Sequence, residues 1–371
     1  MNRKEKRASP RLKFLLFYLW IVSVSTAQAQ LTYATNNGAI TVTGFTGTAG
    51  SVTIPGTVNG LPVTMIGQQA FYGQSNLTSV TIPNSVIEIG ENAFAVCSSL
   101  ANVIIPTSVA SIDEDAFAQC SGLIDVSLTN GLENIGIGAF SGCASLPGIT
   151  IPGTVTNIGL ETFLNCASLA SIFVKSNNLF YSSANGVLFD KNRKTLMAFP
   201  PDVGGSYAIP ASVADIEPYS FFGCAKLASV TIPATVTNIA DFAFYNCPDL
   251  TGIFFAGNPP SLGSDVFLSD TATIYHLPGA SGWGSPFGGL KAVLWNPSIS
   301  PSSAQLGATN NQLAFDVTGT ANIPIVVETG ADLGGTVWVP LQSVTLTNGI
   351  LHFSQPIQKS VPSRFFRIRS P

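Results

Sequence analysis

The sequence predicts a mainly β protein, a solenoid of 23-residue repeats with covered ends, followed by a small C-terminal β-domain. Three observations carry this. Phe71, Phe94, Phe117, Phe140 and Phe163 stand 23 residues apart, and Phe221, Phe244 and Phe267 resume the same step after a gap of 58. Columns of Ile (66, 89, 112, 135, 158, 216, 239) and Leu (77, 100, 123, 146, 169, 227, 250) keep that register, and Ile-Pro recurs at 54–55, 82–83, 105–106, 151–152, 209–210 and 232–233. After Pro297 the register stops. One such unit cannot bury its own Phe, Ile and Leu, whereas stacked units share a continuous core, at about 4.8 Å per coil.

The first 13 residues carry Arg3, Lys4, Lys6, Arg7, Arg11 and Lys13 against a single Glu5, and the apolar run FLLFYLWIVSV (14–24) and Ala27-Gln28-Ala29 follow. A basic start, an eleven-residue apolar stretch and an A-x-A site describe a cleavable secretory signal over 1–29. Eleven residues are too few to span a bilayer, which takes about 20. Losing 1–29 removes six of the 16 Lys/Arg and one of the 20 Asp/Glu, leaving a net charge of about −9. No Lys or Arg lies between Gln30 and Phe173. A protein that neutralises phosphates needs a basic stripe, so nucleic acid is excluded as a main partner. No later run of 18 apolar residues marks a transmembrane helix.

Residues 30–53 are expected to form an N-terminal cap, with a hairpin around Asn37-Gly38. The solenoid then runs over 54–270. Each unit reads Leu-x-x-Val-x-Ile-Pro, Val-x-x-Ile-Gly, Ala-Phe-x-x-Cys. In Leu227–Ile232 apolar and polar residues alternate, as in a half-buried strand, and the following Pro closes it because it cannot donate to a ladder. Val236–Ile239 alternates again as a second short strand, and the segment around Phe244 and Cys247 makes the corner. An insertion occupies about 175–208. Within it, Gly186–Met197 reads as a hairpin turning at 190–193. It exposes Lys191, Arg193 and Lys194, and is either a solvated hairpin or a loop that touches a partner. Residues 271–297, with Tyr275, Trp283, Phe287 and Trp295, are expected to cap the last coil, since open solenoid ends invite edge pairing. Ser298–Ser303 is linker-like, and 304–371 reads as a small β-sandwich with strands at 312–317, 324–328, 338–341, 344–346, 351–353 and 364–368.

These seven recurring columns resemble the BspA-type leucine-rich repeats of bacterial surface proteins, over roughly 31–297. The resemblance implies a right-handed leucine-rich repeat solenoid, export, and a role in protein binding or adhesion. A similar Gly-Val-Leu-Phe hairpin interrupts many such arrays.

All six cysteines share one column: Cys97, Cys120, Cys143, Cys166, Cys224 and Cys247. Stacked side chains of one column point the same way about 4.8 Å apart, whereas a disulfide needs Cβ atoms about 3.8 Å apart on converging vectors. The column therefore reads as a structural ladder of free interior thiols. Without C-x-x-C or a His partner, zinc is not expected. No other metal or cofactor is expected either. Gly136-Ile-Gly138 fails the dinucleotide fingerprint, and no P-loop, H-E-x-x-H or G-x-S-x-G occurs. His276 and His352 fall in different predicted domains. Glu91, Asp113, Glu114, Asp115, Glu161, Asp215, Glu217 and Asp241 all lie just before the repeat Phe, as a solvated rim would. The expectation is a protein that is not an enzyme.

The outward column of the main strands is Thr81, Ile104, Ser127, Thr150, Phe173, Thr231 and Phe254, mostly hydroxylated and uncharged. Ile104, Phe173 and Phe254 are the candidate binding residues, together with Lys191, Arg193 and Lys194 of the hairpin. Phe173 is expected to be covered by the insertion, near Phe180 and Tyr181. The expected partner is an extracellular protein, or alternatively a polysaccharide. A structural spacer for the C-terminal domain is the second reading. A polysaccharide hydrolase or carbohydrate-binding protein is the third, and would need facing carboxylates or an aromatic platform.

Overall fold

The computed structural model describes residues 31–48, 50–300, 312–334, 336–356 and 364–369; the expected leader at 1–29 lies outside them. Among the described residues every regular element is a strand, and no helix is long and apolar enough to cross a membrane.

The chain winds as a β-solenoid. Main strands stack in parallel as Ser51–Thr53, Ser79–Thr81, Asn102–Ile104 and Asp125–Ser127, then Gly148–Ile151 with Ser171–Val174. Beyond the insertion the same face continues through Gly205–Ala208, Leu227–Ile232, Gly252–Phe255, Thr273–His276 and Ala292–Leu294. Two-residue strands such as Glu88–Ile89, Ser111–Ile112 and Asn134–Ile135 form the second sheet, each contributing its column Ile to the core. Pro at 55, 83, 106, 152, 210 and 233 ends the ladder after six of the main strands, which keeps them short.

The repeat Phe residues fill the corner. Phe71, Phe94, Phe117 and Phe140 are fully buried, with successive ring centroids 4.8, 5.1 and 5.6 Å apart and nearly parallel. Each ring gains burial of roughly 1.5–3 kcal/mol plus about 0.5–1.5 kcal/mol from stacking. Backbone bonds tie the corners together, as in Phe94 N–H to Ala116 O at 2.7 Å and Phe117 N–H to Ala139 O at 2.9 Å.

Both ends are closed. Leu31–Asn36 and Ala39–Phe45 form an antiparallel hairpin whose turn, Asn37-Gly38, has both φ values positive (50° and 79°), the geometry that Asn-Gly favours. Its second strand pairs with Leu61–Ile66 and its Phe45 stacks on Phe71. At the other end, Trp283 packs against Phe255 and Phe287.

The insertion is a three-stranded meander, Tyr181–Ala184, Val187–Asp190 and Thr195–Ala198. Asp190 Oδ1 fixes its turn by accepting from the Lys194 and Thr195 N–H groups at 2.6 and 2.9 Å. The last strand pairs in parallel with Asp215–Ile216. Leu196 thereby fills the Ile column and Phe199 the Phe column, stacked on Phe221 at 4.9 Å. The insertion thus contains a shortened coil, which the 23-residue step does not reveal because Phe199 lies 22 residues before Phe221 and 36 after Phe163.

Strand Ser298–Ser300, read from sequence as linker, pairs antiparallel with Gln312–Thr318, which pairs with Ile350–Pro356. The second C-terminal sheet places Pro324–Gly330 between Val339–Thr345 and Phe365–Arg369. Phe315, Val317, Ile323, Ile325, Val327 and Phe353 are buried in one cluster separate from the two solenoid cores. Glu328, 3% exposed, accepts from Arg367 Nε at 2.7 Å and Arg369 Nε at 2.6 Å.

Candidate interaction surface on the strand face

Register places the outward column as the sequence orders it: Thr53 beside Thr81, Ile104 beside Ser127, Thr150 beside Phe173, then Ala208, Thr231, Phe254, Tyr275 and Val293 side by side. The two halves of this column have different fates. Ile104 is 66% exposed and Phe173 54% exposed. Phe254 is only 6% exposed, which corrects its reading as a surface binding residue. Its ring stacks on Tyr275 at 4.8 Å, and both rings are buried in the cluster built by Phe315, Val317, Ile325 and Phe353 of the C-terminal domain. Two apolar rings side by side would be costly to leave in water, and the C-terminal sheets supply the cover. Trp295 Nε1–H donates to Pro324 O at 2.8 Å, and Asn296 Oδ1 accepts from Thr320 N–H and Oγ1–H, both at 2.7 Å, anchoring the two parts. A groove of about 440 Å³ remains between Tyr207 and Thr231 on one side and Val326, Ser343 and Arg369 on the other.

The expected cover over Phe173 is absent. Phe180 is itself half exposed. Tyr181 lies toward the second sheet, where its hydroxyl accepts from Ile158 N–H at 3.0 Å. The reason is topological: the meander extends the sheet of the two-residue strands, not the sheet that carries Phe173.

In the hairpin, Lys191, Arg193 and Lys194 are all exposed. Lys191 Nζ donates to Asn178 O, so this cation holds the turn below it. Arg193 reaches Ser183 O at 3.4 Å.

The six cysteines are buried and free. Each thiol donates to the carbonyl of the Phe one coil back: Cys97 to Phe71, Cys120 to Phe94, Cys143 to Phe117, Cys166 to Phe140 and Cys247 to Phe221 at 3.1–3.3 Å, and Cys224 to Phe199 at 4.0 Å. Burial pushes the Cys97 thiol up to about 11 and that of Cys166 to about 12. At the end of this column Asp270 Oδ1 accepts from Cys247 N–H at 2.7 Å, while Oδ2 is buried without a partner. Burial raises the Asp270 carboxyl to about 7 even though the Cys247 bond pulls it down. The two histidines are spoken for by ordinary contacts: His276 stacks on Trp283, and His352 Nδ1 meets Asp316 at 2.6 Å.

Stacked short parallel strands, a repeat-Phe corner and an interior thiol column define a leucine-rich repeat solenoid. The model of the BspA type leucine-rich repeat region matches six copies over residues 61–185 and 205–279, more than half of the chain. The chain belongs to that family. No curated protein matches it. Among solved structures it is similar to the pneumococcal vaccine antigen PcpA (20% identity, 67% of this chain and 85% of that one, TM-score 0.49). A leucine-rich repeat protein from Bacteroides ovatus is also similar (26% identity, 72% and 89%, TM-score 0.44). So is the leucine-rich repeat protein of T. pallidum (26%, 64% and 85%, TM-score 0.39).

Proposed function

We propose that this is an exported, non-catalytic protein that binds another extracellular protein through the open half of its strand face. The observation that carries the reading is the exposure of Ile104 and Phe173 in an otherwise small, hydroxylated and uncharged column. Their solvation is unfavourable by about 25 cal/mol per Å² of apolar area, which a partner's surface would recover. Membership of a leucine-rich repeat family and the basic-apolar-AxA start agree with it. Arg193 and Lys194 of the hairpin lie within the same proposed role.

A spacer role has one observation in its favour: the C-terminal domain is not tethered loosely but packed on Phe254 and Tyr275. In that reading the solenoid's job is to hold the domain.

Purified residues 30–371 should be tested against a panel of extracellular proteins and polysaccharides at physiological salt. Saturable binding to a protein that falls at least tenfold in Ile104→Asp or Phe173→Ala, with the melting temperature unchanged, supports recognition by the strand face. Binding insensitive to both changes, or silence across the panel, rejects it in favour of the spacer.

A further inference from the structure

At the insertion the regular stack opens. The Phe140–Phe163 centroid distance widens to 6.4 Å, and Phe163 is 7% exposed where the preceding corner rings are fully buried. A cleft of about 50 Å³ follows, because the shortened coil at Met197–Pro201 fills the core but not the outer turn. Its walls are Leu160, Glu161 and Leu164 on one side and Glu217, Tyr219 and Phe222 on the other.

Three features of this cleft point the same way. Tyr219 and Phe222 meet at 58° with centroids 6.0 Å apart, forming an aromatic corner. One face of each is covered by the next coil, Tyr219 by Phe242 at 5.4 Å and Phe222 by Tyr245 at 5.1 Å, which leaves the other face toward the cleft. Second, Glu161 and Glu217 bring two carboxylates to the walls, and among the described residues neither is paired with a cation. Burial, then Asp215, raises the Glu217 carboxyl, so its charge is poorly solvated. Third, the backbone ladder is broken here. Phe71, Phe94, Phe117 and Phe140 each donate to the next coil, as do Gln69, Asn92, Asp115 and Gly138. The equivalent N–H groups of Phe163 and Glu161 have no partner among the described residues.

We propose that this cleft is a docking site for a short extended segment of a partner protein that carries an Arg or Lys side chain. The segment's carbonyls take the Glu161 and Phe163 N–H groups, in the place a full coil would occupy. Its cationic head lies against Tyr219 and Phe222 and between the two carboxylates, where a desolvated cation over an aromatic face is favoured. A neutral sugar could stack on the rings but would leave both charges uncompensated, so the cationic peptide is the better fit. The proposal rests on the protein-binding reading but uses a different surface, at the corner rather than on the strand face.

The probe is a dye-labelled hexa-arginine peptide, followed by fluorescence anisotropy with the 30–371 protein at physiological salt, with hexa-glutamate as control. Saturable binding of hexa-arginine alone is expected. It should fall at least tenfold in Glu161→Gln/Glu217→Gln and less than twofold in Asp113→Asn/Glu114→Gln, which removes equal charge from another coil. Tyr219→Leu, checked for an unchanged melting temperature, should weaken binding while retaining the carboxylates. Equal loss in both charge variants means non-specific attraction and overturns the proposal, as does the absence of saturable binding. Uptake of a polysaccharide that depends on Tyr219 but not on the two Glu residues overturns it in favour of a sugar site. Ile104→Asp and Phe173→Ala should leave hexa-arginine binding unchanged, so this site and the strand-face reading fail separately.

Discussion

Phe254 and Tyr275 lie side by side on adjacent strands, their rings stacked at 4.8 Å, and together form the floor on which the C-terminal domain sits. Phe173 occupies the same outward column and remains open to solvent. The two phenylalanines are therefore equivalent in register and opposite in role.

Truncating them should separate those roles. Phe254→Ala should destabilise the protein by about 3–5 kcal/mol, the usual cost of emptying a buried Phe site. Phe173→Ala should stay within about 0.5 kcal/mol. Urea unfolding followed by tryptophan fluorescence, with Trp295 at the junction, reads both. Equal costs would mean that the domain does not bury Phe254 in solution.

Val96 has φ of +63°, at a corner position where the other coils place Gly73, Gln119, Gly142, Asn165, Gly223, Asn246 and Ser269, also with positive φ. A β-branched residue is strained there. Because Val96 is 39% exposed, little packing is lost on replacing it. Val96→Asn should raise stability by about 1 kcal/mol, seen as a higher urea midpoint with unchanged slope. A lower midpoint would show that its side chain contributes more by packing than it costs in backbone strain.

Asp270 gives the fold a pH dependence. Its folded carboxyl titrates near 7, above the ordinary carboxylate range. The folded state therefore holds the proton more tightly than the unfolded state, and stability falls as pH rises from about 4 to about 7. Asp270→Asn keeps an acceptor for Cys247 N–H and removes the charge. The melting temperature of the wild type relative to this variant should drop between pH 5 and pH 8. Parallel curves would place the Asp270 carboxyl in water.

Glu328 works in the opposite sense. Burial alone would raise it, but bonds from Arg369 and Arg367 and their charges hold it below the usual value. Its contribution is present above the ordinary carboxylate range and lost as pH falls through the depressed value. Glu328→Gln should cost on the order of 2 kcal/mol, the worth of hydrogen bonds to a charged group. The loss should be largest at neutral pH and fade on acidification, as read by unfolding of the full chain.

The thiols provide a chemical check on the core. In native protein none of the six cysteines should react with a disulfide reagent over minutes, given their burial, which also raises the thiols of Cys97 and Cys166. In denaturant without reductant all six should react. Fewer than six would reveal disulfides that the stacked geometry disfavours.

The sequence by itself determined the coil. A 23-residue step in Phe, Ile, Leu and Cys dictates which side chains face inward, because stacked coils must align like with like to share a core. The Asn37-Gly38 hairpin and the Asp190 turn were legible for local reasons: few residues tolerate the positive φ values at 37 and 38, and the Asp190 carboxylate accepts from the N–H groups of its own turn. Only the tertiary structure decided which outward residues remain outside. Thr231 and Phe254 follow the same strand pattern as Thr150 and Phe173, and no local signal shows that a domain some 60 residues later folds back on Phe254. The cleft was hidden likewise. Phe199 keeps the core continuous at an irregular spacing, while the outer turn that would cover Tyr219 and supply partners for Glu161 and Phe163 N–H is missing. Periodicity reports what each coil buries; what covers its outer surface depends on contacts between segments distant in sequence.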